Sequence, residues 1–462
     1  MKTDQFGMDL TAASEAAAQQ YDTTLMAYLG LRKETGDQLR DLFAADPEMP
    51  MAFLMRGNFM KLFCKPGLDR KAKESLDSAD AAIAKHGASP RERLHREALA
   101  SWCRGDMRGA IRAWEAILLD WPHDMLAMRL AHFMHFYMGD SQGMRDSILR
   151  VLPHWSRGMP AYGFVVGYKA FGLEESGDYA AAEAAGREAV EINPCDIWAT
   201  HAVAHVMEMQ GRHAEGVRWL DGFSGNWGEC NNFAYHAWWH KALFHLERDE
   251  FDIALQLYDT RIRADQSDDY LDMSNAIAML TRFEQHGIDV GDRWSELADK
   301  CEPKVDDHIF VFHDMHYLMA LVAGGRDAKV ERLLSGMREA ATRTDTTEGP
   351  IFARVGLPLA EAIVAIRKGD HAKAVALAEP VRREIVRIGG SHAQRDVFAR
   401  LLIDAALQAG QSRLARALLA ERTALNPNNV WGWRRTADAM TQLGDASGAA
   451  RARAEAKVRL AA

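Results

Sequence analysis

Two stretches carry the same beat: GDMRGAIRAWEAILLDWPHDMLA at 105–127 and GDYAAAEAAGREAVEINPCDIWA at 177–199. Each opens on Gly-Asp. Each places an alanine five residues after the glycine (Ala110, Ala182) and a proline seventeen after it (Pro122, Pro194). Glycine ends a helix because it tolerates the left-handed backbone that turns the chain. The small alanine lets the next helix approach a neighbour closely. Proline has no amide hydrogen to donate, so it marks where that helix stops. Fainter copies follow: QGRHAEGVRWL from 210, ERDEFDIALQLY from 247, GGRDAKVERLL from 324 and KGDHAKAVALAEP from 368. AGQSRLARALLAERTALNPNNVWGW from 409 and LGDASGAARARAEA from 443 complete the series.

A helix pair that recurs at irregular spacing predicts a stacked array, since one pair alone cannot bury its apolar face. The pattern resembles the tetratricopeptide repeat. The expected fold is all-α, a right-handed α-α superhelix (a tetratricopeptide-like solenoid) with irregular repeats. Residues 91–462 are read as the repeats and 1–90 as a helical cap continuous with them in one domain. In the cap, Ser14 is the expected N-cap of one helix, and Pro47 and Pro50 introduce another over 51–63.

Composition excludes some classes. Hydrophobic residues make up 48%, so the chain is not disordered. The net charge is −9, with no long run of Lys or Arg, so no nucleic-acid partner is expected. The opening MKTDQFGMDLTAASEAAAQQ lacks the apolar core of a secretion signal. No membrane span is expected. Five scattered cysteines without a C-x-x-C pair fit reduced thiols and a cytoplasmic location. Trp431 and Trp433 in the last repeats are read as exposed aromatics that cap the array or pair two chains, so a homodimer stays open.

Eighteen histidines are the unusual feature. Several fall on first helices of repeats: DIWATHAVAHVMEMQGR (196–212), NNFAYHAWWHKALFHLE (231–247) and DDHIFVFHDMHYLMALVAGG (306–325). A fourth segment, from Gly389, begins Ser391-x-x-Gln394, the spacing of a capping box. Counting back from each turn, with Asp249 standing where a glycine should be, puts histidines of separate helices on one helical stripe. His132 and His135 fall at packing offsets instead, so histidine also serves the core here. In tetratricopeptide repeats, first helices line the concave groove. That resemblance implies that His201, His205, His236, Trp239, His240 and His316 face one groove, with Glu208, His313 and Asp314 nearby. His201/His205 and His236/His240 are each one turn apart and could hold a metal. Neither is H-E-x-x-H, so no metal ligand is assigned and the cofactor is left unknown. Arg395 and Asp396 either form a local ion pair or serve the groove, Arg395 by clasping a carboxylate.

The blocks NNFAYHAWWHKALFHLE, FHDMHYLMAL and GGSHAQRDVF, with HVMEMQGR ahead of them, resemble the tetratricopeptide repeat protein 38 family over roughly residues 50–440. The resemblance implies an all-helical fold and carries no reaction, substrate or cofactor. Two functions therefore stand side by side. One is a helical-repeat binding protein whose His/Trp-rich groove takes a small organic ligand or a peptide segment. The other is an enzyme, a hydrolase or a metal-assisted one, with His240, His316 and Asp314 as acid–base or ligand groups and His201, His205, Glu208, His236, Trp239, His313, Arg395 and Asp396 around the ligand.

Overall fold

The computed structural model describes residues 1–460. Helices make up nearly all of its regular structure. Among the described residues the one sheet is a two-stranded antiparallel pair, Lys2–Thr3 with Asp9–Leu10. Consecutive helices pack as pairs. Examples are Pro90–Cys103 with Met107–Asp120, Tyr162–Glu175 with Tyr179–Ile192, and Val430–Gln442 with Ala446–Leu460. The fold is the all-α array of irregular helix pairs that the repeats predict.

The turn chemistry explains the pairing. Gly105, Gly177, Gly369 and Gly444 have φ of 80, 86, 76 and 77°. The aspartate that follows caps the next helix. Asp106 accepts from the Gly109 amide at 2.7 Å and Asp370 from the Lys373 amide at 3.1 Å. Where arginine follows glycine, as at Arg212 and Arg326, the side-chain cap is missing. Both belong to the fainter copies. Asp249, which stands for glycine in its turn, does adopt the left-handed conformation at φ 59° and is clasped by Arg434. After each proline a second cap recurs: Asp124 on the Ala127 amide, Asp196 on Ala199 and Asn429 on Gly432. A Cβ added at Gly177 would meet nothing within 4 Å. Gly177→Ala is therefore expected to cost about 1–2 kcal/mol from backbone strain alone, read as a shifted urea midpoint with an unchanged slope.

The chain divides into two compact units. Unit 1 comprises Met1–Val203, Gly225–Ala234 and Arg343–Pro350. Its core includes Tyr21, Trp114 and Phe171, all fully buried. His132 is buried there against Tyr168, Phe171 and Trp198, in the packing role its offset indicated. Unit 2 comprises Ala204–Ser224, Tyr235–Thr342 and Ile351–Ala462. Trp239, Phe283, Phe352 and Phe398 anchor its larger apolar cluster.

All five cysteines are free, and Cys64, Cys230 and Cys301 are buried. One stretch, Gly349–Arg367, is long and apolar enough to cross a membrane by length and composition. More than half of its apolar window is buried in the fold, as in a core helix.

Candidate functional site

Five helices build the polar centre of unit 2: α1 (Ile197–Met209, from residue 204 on), α2 (Phe233–Glu247, from residue 235 on), α3 (Tyr270–Gln285), α4 (Val311–Ala323) and α5 (His392–Gln408). The α3 helix packs against both α4 and α5. The α5 helix starts at the predicted capping box. Ser391 Oγ accepts from the Gln394 amide at 3.2 Å, and the Gln394 side chain accepts from the Ser391 amide at 3.0 Å.

The rings of His205 and His240 lie 4.4 Å apart by centroid, and those of His236 and His240 4.8 Å apart. All three are buried. His240 Nδ1 donates to Glu208 Oε2 at 2.8 Å. His236 Nδ1 donates to Asn275 Oδ1 at 3.2 Å, and Gln394 Nε2 approaches the same oxygen at 3.5 Å. Trp239 stacks on His236 and meets His240 edge-on at 4.9 Å, with the Arg282 guanidinium 5.6 Å from its ring. Arg282 is tied down by the carbonyls of Ala393 at 2.6 Å and Ala278 at 3.1 Å.

Burial sets the charge states. It pushes His205 and His236 well below the usual imidazole range, the neighbouring imidazoles adding to the effect. It takes His240 down to about 3, with Arg282 contributing. Glu208 is pushed up to about 8, again by burial, against the pull of Arg282. Both members of the Glu208–His240 pair are thus driven toward their uncharged forms. Burial lowers even Arg282, to about 10.

The other expected residues are placed differently. His316 sits on α4, fully buried, donating from Nδ1 to the Phe312 carbonyl at 2.7 Å and packed against Phe312 and Phe398. His313 lies against Tyr270, with ring centroids 4.3 Å apart. Asp314 faces away from His316 and holds His308 Nδ1 at 2.6 Å. His201, one turn before His205 on α1, belongs to unit 1. Arg395 reaches the Gly390 carbonyl and, at 3.4 Å, His392 Nδ1. Asp396 is gripped by Arg422 and, at 2.9 Å, by Arg400. Burial would raise its carboxyl, but Arg422 and Arg400 outweigh that and hold it well below the usual range. Trp431 is not an exposed aromatic: it is 2% exposed, with Arg400, Arg422 and Arg435 around its ring.

The histidines of the stripe in unit 2 are buried, and the last repeats reach back to the C-terminal ends of α1 and α2. Asn426 Nδ2 donates to the Glu208 carbonyl at 3.4 Å, Asn428 Nδ2 to the Gln210 carbonyl at 2.9 Å, and Asn429 Nδ2 to Glu247 Oε2 at 2.9 Å. A cavity of about 460 Å³ remains between α1 and α5, with Glu208, Arg395, Asp396, Phe398, Arg400 and Arg422 in its lining. Sequence reading missed Asn275 and Arg282, although two polar residues seven apart in the apolar run NAIAMLTR (275–282) were the available signal.

No family model matches the chain. Similar solved structures include the human IFIT1 dimer with PPP-AAAA, at 12% identity and a TM-score of 0.40, covering 86% of this chain and 87% of that one. A monomeric IFIT1 mutant with Gppp-AAAA has 11% identity and a TM-score of 0.41, covering 98% and 97%. Yeast Tom70 has 12% identity and a TM-score of 0.37, covering 95% and 88%. One expectation is corrected by these structures. Nucleic acid is not excluded as a partner, since a similar helical-repeat protein is solved with an oligonucleotide. Composition also does not show which cations meet in space. Arginines that never form a run in sequence are gathered by folding: Arg382, Arg383, Arg395, Arg400 and Arg422 all line one cavity. The chain is a helical-repeat protein of tetratricopeptide-like architecture.

Proposed function

We propose that this protein is a helical-repeat binding protein and that the cavity of unit 2 takes a small, partly apolar organic anion. The observation that carries the reading is the composition of the cavity wall. Phe398, Leu402, Ile385 and Val386 supply an apolar side, while five arginines face four carboxylates in the same lining. A volume of about 460 Å³ is in the range of small-molecule sites, which are mostly apolar with a few convergent polar groups. Arg395 meets the ligand's charge in this reading: it lines the cavity from the first turn of α5, next to its bond with the Gly390 carbonyl, and its guanidinium fork suits a carboxylate. The sequence blocks that resemble the tetratricopeptide repeat protein 38 family include α2 and α5, and we place the chain with that family.

The test is isothermal titration with medium-chain fatty acids and aryl carboxylates, each paired with its neutral amide. The acids are expected to bind and the amides to fail. Arg395→Ala is expected to weaken the acids by about 10- to 100-fold, the loss of one charge-assisted bidentate contact, with the helical circular dichroism unchanged. Equal affinity of acid and amide, or of wild type and variant, would end this reading.

A further inference from the structure

We propose that His205, His236 and His240 form a binding site for a single zinc-class divalent metal ion inside unit 2. One ring nitrogen from each lies within 4.8 Å of the others. A tetrahedral ion with bonds of about 2.1 Å brings its ligand nitrogens to roughly 3.4 Å of one another. The rings therefore need to draw in by at most about 1.4 Å, within the reach of small rotations about their side-chain bonds.

The surroundings are those of a built site. Metal-bound imidazoles donate their second nitrogen to a carboxylate or carbonyl oxygen, which sets the tautomer and aims the ring. Here His240 Nδ1 donates to Glu208 at 2.8 Å and His236 Nδ1 to Asn275 Oδ1 at 3.2 Å. In the tautomer with Nδ1 protonated, Nε2 is the nitrogen that each of these rings would offer to the ion. The two orienting groups come from different helices, α1 and α3, so the arrangement is not a by-product of one helical repeat. Asn275 adds a second, independent sign. Its Nδ2 is buried and finds no acceptor in the protein, although its Oδ1 is engaged. A buried donor of this kind is costly unless something accepts from it, and a water or anion on the ion would do so.

The donor set names the class of metal. Three neutral imidazoles without thiolate suit zinc and, as surrogates, cobalt or nickel, and they are poor ligands for calcium or magnesium. Glu208 both orients His240 and lines the cavity, so the outer shell of the ion meets the proposed ligand space. The metal site does not depend on that ligand reading: Glu208 and Asn275 serve the histidines whether or not an organic anion enters.

The experiment uses the full chain, purified without a histidine tag and stripped with chelator. It is titrated with cobalt(II) and read by visible absorption, then with zinc in competition against a chromophoric indicator. The expected result is one ion per chain and the intense d–d bands of tetrahedral cobalt, displaced by zinc. His236→Ala and His240→Ala abolish those bands. Asn275→Ala and Glu208→Gln weaken zinc by about 10- to 100-fold. His313→Ala, outside the set, binds as wild type does. Wild-type protein without tetrahedral cobalt bands overturns the proposal, whether or not the histidine variants fold. Bands that persist in a folded His236→Ala variant overturn it equally. Carboxylate binding without cobalt bands would leave the ligand reading standing and remove the metal alone.

Discussion

Arg400→Met is expected to lower the free energy of unfolding by about 3–5 kcal/mol, a large share of the stability of a typical domain. Arg400 lies within unit 2 with its side chain 4% exposed. It bonds Glu247 through Nη2 and Asp396 through Nε at 2.9 Å, and its guanidinium lies 4.7 Å from the Trp431 ring centroid. Burial alone would raise the Glu247 carboxyl. Arg400, with His213 next, outweighs it and brings Glu247 down to about 2. Removing the cation leaves a buried carboxylate with Asn429 as its remaining hydrogen-bond donor, and the penalty for an uncompensated buried charge is large. Asp396 keeps Arg422. Arg400→Met combined with Glu247→Gln is therefore expected to recover more than half of the loss. Urea titration of the four proteins of this cycle, followed by circular dichroism, gives the coupling energy directly. Additive single effects would show that the pair is not coupled.

The second large effect is pH. His316 is fully buried and pushed by burial down to about 4, only partly offset by its bond to the Phe312 carbonyl. His313 is pushed down to about 3 by burial, with His316 and Lys304 adding to it. In the unfolded chain both titrate near 6.5. Below that pH the unfolded state binds protons that the folded state refuses, so stability falls as the pH falls. The sign is that of a depressed base: full stability above 6.5, progressive loss between 6.5 and about 4. At pH 5 each histidine costs about 2 kcal/mol, or about 4 kcal/mol for the two. Asp307, pushed up to about 6 by burial, works in the opposite direction, so single variants are the cleaner measure. The stability of His316→Leu relative to wild type is expected to rise by about 2 kcal/mol between pH 7 and pH 5. A difference that does not change with pH would show that His316 is not held neutral.

Much of the fold was legible in advance because turn chemistry is local. Gly105 and Gly177 end helices in the left-handed conformation, and Asp106 and Asp178 cap the next ones. Even the irregular turn at Asp249 was visible from its register. The histidine stripe was legible for the same reason, since residues three and four apart share a helix face. His236 and His240 do lie together, with His205 of a neighbouring helix against them. Asp314 shows where such counting stops. It lies two residues before His316, which turns it to another side of the helix and onto His308. The arginines of the cavity were not legible, because net charge and runs say nothing about which cations meet in space.

By itself, then, the sequence determined the helix pairs, their caps, their turns and the face on which the histidines lie. Each of these is decided within one or two turns of chain. Tertiary structure alone decided that the stripe is buried and that its partners are Glu208, Asn275 and Arg282. It alone drew the arginines around a cavity. Arg282 meets the Ala393 carbonyl across 111 residues, Arg400 meets Glu247 across 153, and Asn429 meets Glu247 across 182. Separations of that size are set by how helix pairs stack on one another. That stacking depends on the shape of every intervening interface and leaves no periodic trace in the chain.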